Sequence, residues 1–197
     1  GYISWQTIHS ALLHGTKGTS VEDYYSTDYY SFPISSTILD ILQEIERNEF
    51  VMLYDEKDCI CAILTTSDFT KQYMQLVQPF ILLYEFEKSL RCLLSGVLLE
   101  EDIKTILLLE NCPHKNHVHI EDLTLGQYCL WLEQDNNFDK LQLPNTNREA
   151  FLHQIGVIRE IRNKVMHFRT IGLCSSEMNI LRNTVLYMRA IVETNQQ

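Results

Sequence analysis

The sequence predicts an α+β chain in two parts: a small, partial α/β unit over residues 1–78 and an all-α bundle over residues 79–197. Three observations carry this expectation. Two strand-like runs, "EFVMLYDE" and "CICAILTT", stand together in the first part, joined by the turn-like "EKD". From Pro79 onward the apolar positions repeat at helical spacing. Seven Gly and four Pro in 197 residues are too few for a fibrous or loop-dominated chain.

The elements follow in order. Ile3 to His14 reads as a short amphipathic helix carrying Ile3, Ile8, Leu12 and Leu13, followed by the polar, tyrosine-rich "TKGTSVEDYYSTDYYSF". In "SSTILDILQEIERN", Ser36 or Thr37 can cap a helix whose stripe is Ile38, Ile41, Leu42 and Ile45. After the two strands, "SDFTKQYMQLV" returns to helical spacing, giving helix, strand, turn, strand, helix. Pro79 marks a kink or boundary. "FILLYEFEKSLRCLLSG" is a helix that Gly96 can end, and "LEEDIKTILLLEN" is another. "TLGQYCLWLEQ" opens with Thr124 and Gln127 at capping-box spacing, and "TNREAFLHQIGVIREIRNKVMHF" repeats that spacing with Thr146 and Glu149. The latter buries Phe151, Leu152, Ile155, Ile158, Ile161 and Val165 and stops at Gly172. "SSEMNILRNTVLYMRAIVE" makes the last of about five helices in the bundle, with Leu181, Val185, Met188 and Val192 inward.

Composition narrows the function. Hydrophobic residues at 45% and charged residues at 21% describe an ordinary globular chain with ample core material. "FILLYEF" and "TILLLE" fall far short of the ~20 residues of a membrane span. No leader for secretion opens the chain, so a cytoplasmic protein is expected; Gly1 without an initiating Met reads as an expression remnant with native residues missing upstream. The six cysteines, Cys59, Cys61, Cys92, Cys112, Cys129 and Cys174, are expected to be small buried thiols. A net charge of −10 argues against broad nucleic-acid binding, and leaves a local cationic site with weak, salt-sensitive affinity for a short RNA segment.

The stretch "IREIRNKVMHFR", Ile158 to Arg169, supplies that site. At 100° per residue Arg159, Asn163 and His167 share one stripe, each four apart, with Arg162 at its flank. Guanidiniums, an amide and an imidazole together suit phosphodiester cleavage without metal. A base takes a proton from the attacking 2′-hydroxyl, an acid protonates the departing 5′-oxygen, and bidentate arginine holds the phosphorane's charge. One helix supplies one such histidine, and two facing copies supply two. "RNKVMH" resembles the Arg–four-to-six–His motif of HEPN-domain ribonucleases, and the likeness extends over "EFEKSLRCLL", "EDLTLGQYCLWLE" and "REAFLHQIGVIREIRNKVMHFR". The resemblance implies a homodimer joined through the motif helices that cleaves RNA without metal. It assigns phosphate binding to Arg162, acid–base catalysis to His167 and orientation to Asn163. Arg159 joins them as a lining residue, as do Glu87 and Arg91 in "EKSLR", whose plainer reading is a helix-surface ion pair.

The first part, with "CICAILTTSD" at the exit of its second strand, resembles a CBS domain through Thr65 and Asp68, with Cys61 or Ala62 where glycine is common. CBS domains that bind adenine nucleotides turn the hydroxyl to phosphate and the carboxylate to ribose. A plainer reading has Thr66 or Ser67 cap the next helix with Asp68 in its first turn. The order of the two units is similar to a bacterial CBS–HEPN arrangement.

Other constellations are weaker. "NCPHKNHVH" holds Cys112, His114, His117 and His119 but has no distant partner pair, so a polar loop and no metal cofactor are expected. "HGTKGTS" lacks the spacing of a phosphate loop. Tyr24, Tyr25, Tyr29 and Tyr30 could stack bases, yet Asp23 and Asp28 beside them repel phosphate, which favours packing or a partner surface.

Two functions follow. One is a homodimeric, metal-independent endoribonuclease with a composite Arg/His site. The other is a non-catalytic regulatory or scaffold protein, its CBS-like unit sensing an adenine nucleotide and its HEPN-like unit serving dimerisation. In the second, Arg159 and Arg162 are tied up by Glu160 or Glu87 and His167 caps the helix end.

Overall fold

A computed structural model describes residues 1–109, 119–134, 136–144, 146–167 and 173–195. The fold is α+β, and the chain divides into two compact units, residues 1–75 and 76–197.

In the first unit, α1 (Trp5–Leu13) is opened by a capping box in which Ser4 accepts from the Thr7 N–H at 3.1 Å and Thr7 accepts from the Ser4 N–H at 2.9 Å. Its expected apolar stripe does not become a core face. The helix buries no residue, Ile3 lies outside it, and Leu12 and Leu13 are exposed.

Strand β1 (Ser31–Pro33) is followed by α2 (Ile38–Asn48), β2 (Phe50–Tyr54), β3 (Ile60–Thr65) and the start of α3 (Thr66–Leu94). β1 is an element the sequence reading lacks, because three residues show no period and Pro33 argues against a strand interior. At a sheet edge Pro33 is tolerated. The strand order is β1-β2-β3, with β1 parallel to β2 (Ser31 opposite Met52) and β3 antiparallel to it (Phe50 opposite Thr65). Thr37 caps α2 in a reciprocal box with Asp40. The β2–β3 turn closes on Asp55, whose carboxylate accepts from the Lys57 and Cys59 N–H groups at 2.8 and 3.0 Å, while Asp58 takes the left-handed conformation at φ 57°.

Ile41, Ile45 and Val51 form this unit's core, with Phe32, Leu53 and Leu64 packed against it. β3 leaves Ile60, Cys61 and Ile63 exposed. This corrects the expectation of buried thiols. Cys59, Cys61, Cys92 and Cys174 are exposed, Cys129 is buried, and Cys112 lies outside the described residues. An apolar run marks a strand but does not say that both of its faces are covered.

α3 continues through Pro79, so the helix is not ended there. Proline removes one backbone donor, which would have served the Gln75 carbonyl, and the division between the units falls just after that residue. Pro79 itself is buried, and beyond it Leu83, Phe86, Leu90, Leu93 and Leu94 turn inward, so burial on the C-terminal side of the missing bond sustains the helix. α3 ends at Leu94, and Gly96 is not the left-handed cap expected of it; among the described residues the positive-φ glycine is Gly15.

Then come α4 (Glu100–Leu109), α5 (Leu125–Glu133), α6 (Arg148–Met166) and α7 (Ser175–Asn195). α5 keeps its predicted capping box, Thr124 with Gln127. α6 does not: Asn147, not Thr146, is its cap and accepts from the Ala150 N–H at 2.9 Å. Asparagine is as good an N-cap as serine, so the helix begins at the nearer signal. Gly172, the expected stop, lies outside the described residues.

Side-chain pairs give the helix directions. Gln154 donates to Thr184 at 2.6 Å and Lys164 pairs with Glu177, so α6 and α7 run antiparallel. Arg182 donates to Gln78 at 2.8 Å and Arg189 pairs with Glu85, one heptad on in both helices, so α3 and α7 run parallel. Between them Phe86, Leu90, Tyr128, Trp131, Leu132, Ile158 and Leu181 fill a single core. Among the described residues no helix is long and apolar enough to cross a membrane.

Candidate functional site

Ile155, Ile158 and Ile161 are buried and set the rotation of α6. That leaves Arg159 and His167 exposed, with Arg162 and Asn163 half-buried, toward the helix's C-terminal end. His167 is the C-cap residue, and its backbone N–H donates to the Asn163 carbonyl at 3.1 Å. Arg159, Arg162, Asn163 and His167 form no side-chain hydrogen bond or ion pair among the described residues. The pairs of Arg159 and Arg162 with Glu160 or Glu87 are therefore absent among the described residues. Arg169 lies outside them.

Arg159 rests against the first turn of α5, where its Nε would lie 3.8 Å from a Cβ added at Gly126. Its charge also reaches Cys129, whose thiol burial pushes up to about 11 despite the opposing pull of the guanidinium. That thiol stays protonated and inert.

Lys164 was not singled out from the sequence. It turns away from Asn163 to pair with Glu177 on α7, whose second oxygen accepts from the Cys174 N–H at 2.9 Å. The Lys164 hydrogen bond, then the Cys174 one, hold the Glu177 carboxyl below its usual range. The pair ties the end of α6, where the motif sits, to the start of α7. Its sequence signal would have been a basic residue in the last helical turn facing an acidic one in the first turn of the next helix.

Glu87 and Arg91 are engaged with each other at 3.3 Å along α3, with side chains 25% and 30% exposed. They lie beside Tyr128, whose phenol burial pushes up to about 12. No described contact joins them to Arg162 or His167, so within one chain they are an i,i+4 pair.

Thr65 and Asp68 satisfy one another at the start of α3. The Thr65 hydroxyl and N–H donate to Asp68 Oδ2 at 2.6 and 3.2 Å, and the Asp68 N–H donates to Thr65 Oγ1 at 3.2 Å. The hydroxyl's hydrogen bond holds the Asp68 carboxyl below its usual value. Thr65 therefore takes the capping role expected of Thr66 or Ser67, while the Thr66 hydroxyl donates to the Glu49 carbonyl at 3.0 Å.

Cys112, His114 and His117 lie outside the described residues, and the His119 N–H donates to Asp122 at 3.0 Å. Among the described residues no cluster of three His, Cys, Asp or Glu could hold a metal.

Three cavities are prominent. A groove of about 470 Å³ runs between α6 and α7 past Asn147, Gln154, Asn183 and Tyr187. Another of about 530 Å³ lies by Cys92, Lys140 and Asn195. The third, about 350 Å³, is in the first unit between Tyr2, Tyr29 and Phe50. None of the three is lined by Arg159, Arg162, Asn163 or His167. Compared with family models, curated proteins and solved structures, the chain matches none.

Proposed function

We propose that the protein is a metal-independent endoribonuclease that works as a homodimer, with Arg162, Asn163 and His167 of two chains converging on one site. One observation carries this reading: these side chains, with Arg159, stand at the accessible end of α6 without side-chain hydrogen bonds or ion pairs among the described residues. A purely structural role would have used them up in pairings such as the salt bridge that occupies the neighbouring Lys164. The resemblance of "RNKVMH" to the HEPN motif adds the roles: Arg162 holds the scissile phosphate, Asn163 orients, and His167 exchanges protons. Two copies provide both an acid and a base for attack by the 2′-hydroxyl and departure of the 5′-oxygen.

The purified chain, incubated with labelled RNA in EDTA, is expected to cleave it, and His167→Ala to cut the rate by about 10²- to 10⁴-fold. Equal products from both proteins would end the ribonuclease reading.

A regulatory or scaffold role is favoured by a different observation, that the motif residues line none of the three cavities of the single chain. In that reading the CBS-like unit senses an adenine nucleotide at Thr65 and Asp68, which must exchange their mutual hydrogen bonds for the ligand. Calorimetry with ATP and AMP tests it: heat that Asp68→Ala removes supports the sensor, and no heat from either nucleotide excludes it.

A further inference from the structure

We propose that the second unit binds a purine base bearing an amino group, such as adenine, in the groove between the start of α6 and the middle of α7. The groove measures about 470 Å³, within the ordinary range of ligand cavities. Ala150 contributes only a methyl group to its wall, between Asn147 and Gln154 on α6. From α7 come Ile180, Asn183 and Tyr187, all exposed. Among the described residues no charged side chain lines it, whereas Lys140 lines the second cavity and Asp28, Arg47 and Glu49 the third. A ligand seated there is neutral, and is sorted by its pattern of hydrogen-bond donors and acceptors rather than by charge.

Two carboxamides present a fixed pattern. The Thr184 hydroxyl has one hydrogen and donates it to the Ile180 carbonyl at 2.8 Å, so it can only accept from Gln154, at 2.6 Å. That sets the Gln154 amide with its nitrogen on Thr184 and leaves its carbonyl oxygen as an acceptor. Asn147 is set the opposite way: its oxygen accepts from the Ala150 N–H at 2.9 Å, which leaves its NH₂ group as a donor. Neither spare group has a partner among the described residues. The two residues lie two helical turns apart, about 10 Å along the axis, so they address opposite ends of one ligand. Because α6 and α7 run antiparallel with Thr184 beside Gln154, Tyr187 falls between those two levels, where its ring can cover a flat ligand. Asn183, whose amide forms no hydrogen bond among the described residues, adds a donor and an acceptor. An amino group for the Gln154 oxygen, a planar body for Tyr187 and ring nitrogens for the Asn147 amide describe an aminopurine. The inference is independent of the ribonuclease reading and of Thr65 and Asp68.

Isothermal titration of the full chain with adenosine tests it, with inosine, whose carbonyl replaces the amino group, as the mismatch. Saturable adenosine binding is expected, with inosine weaker by about 10-fold or more because two acceptors then face each other. Tyr187→Leu should weaken adenosine by about 5-fold or more. Ala150→Leu, at an exposed position, should fill the groove and abolish binding, with circular dichroism confirming the fold. A short oligoadenylate that competes with adenosine identifies a base within a strand as the ligand, and one that does not identifies a free nucleoside; the groove is the site in either case. The proposal falls if adenosine gives no saturable heat, if inosine binds as well, or if folded Ala150→Leu retains full affinity. It falls equally if Asp68→Ala removes the heat, which would place the nucleoside in the first unit.

Discussion

Glu177 shows how one side chain can tie two helix ends together. Its carboxyl is held below its ordinary value by Lys164 and the Cys174 N–H. A group depressed on folding contributes stability that is fully present above its unfolded value and is lost as pH falls through its folded value. Glu177→Gln should therefore destabilise the chain at pH 7 and converge with wild type as the pH falls through the acidic range, a trend urea titrations would reveal. A constant difference across that range would contradict the assignment. Thiol chemistry offers a second residue-scale check. Cys59, Cys61 and Cys174 are exposed, whereas Cys129 is buried with its thiol pushed up to about 11. Alkylation read by mass spectrometry should modify the first three in the native protein and Cys129 only after unfolding.

At the scale of the element, α6 is informative because its two ends obey different rules. At its start Asn147 holds the Ala150 N–H, and Thr146 has no such bond. Asn147→Ala should then cost about 1 kcal/mol and Thr146→Ala a few tenths at most, measured as shifts in denaturation midpoint. The reverse order would restore the Thr146–Glu149 box. Through its middle, Ile155, Ile158 and Ile161 face the core, and Ile158→Ala should cost about 2–5 kcal/mol. At its far end the polar residues share a face that the core does not use. α3 makes a related point, since burial of Pro79 and of Leu83, Phe86 and Leu90 beyond it keeps one helix where local preference favours two.

At the scale of the whole molecule, the two units differ in how much they bury. The first has a core of Ile41, Ile45 and Val51 with a few flanking side chains, while the second joins residues from five helices among those described. Local opening is governed by that difference. Hydrogen exchange should be faster for the amides of β2 and β3 than for those at Ile155–Ile161 in α6, and equal protection would contradict separate cores. The net charge of −10 acts at this scale too: in the proposed ribonuclease it leaves a few arginines to hold RNA against a repulsive background. Cleavage should then be confined to short, flexible RNA and fall as salt is raised, which rates measured at increasing NaCl would show.

Much of this architecture is legible in one dimension. Strands β2 and β3, the α2 cap at Thr37, the Thr124–Gln127 box and the inward stripes of α6 and α7 follow from local periodicity and short-range hydrogen bonding, which adjacent residues specify. The Arg159–Asn163–His167 stripe was legible for the same reason, being a consequence of helix geometry. What lay beyond reach depended on segments far apart in sequence. β1 exists only because β2 pairs with it, and Cys61 is exposed because no described residue covers its face of β3. Lys164 is engaged because Glu177 lies across the hairpin, and the Tyr2 ring packs against Tyr29 and Phe50, which lie far from it in sequence. Periodicity tells a side chain which way to face; only the folded chain decides what stands opposite it, and charge pairing and burial are properties of that meeting.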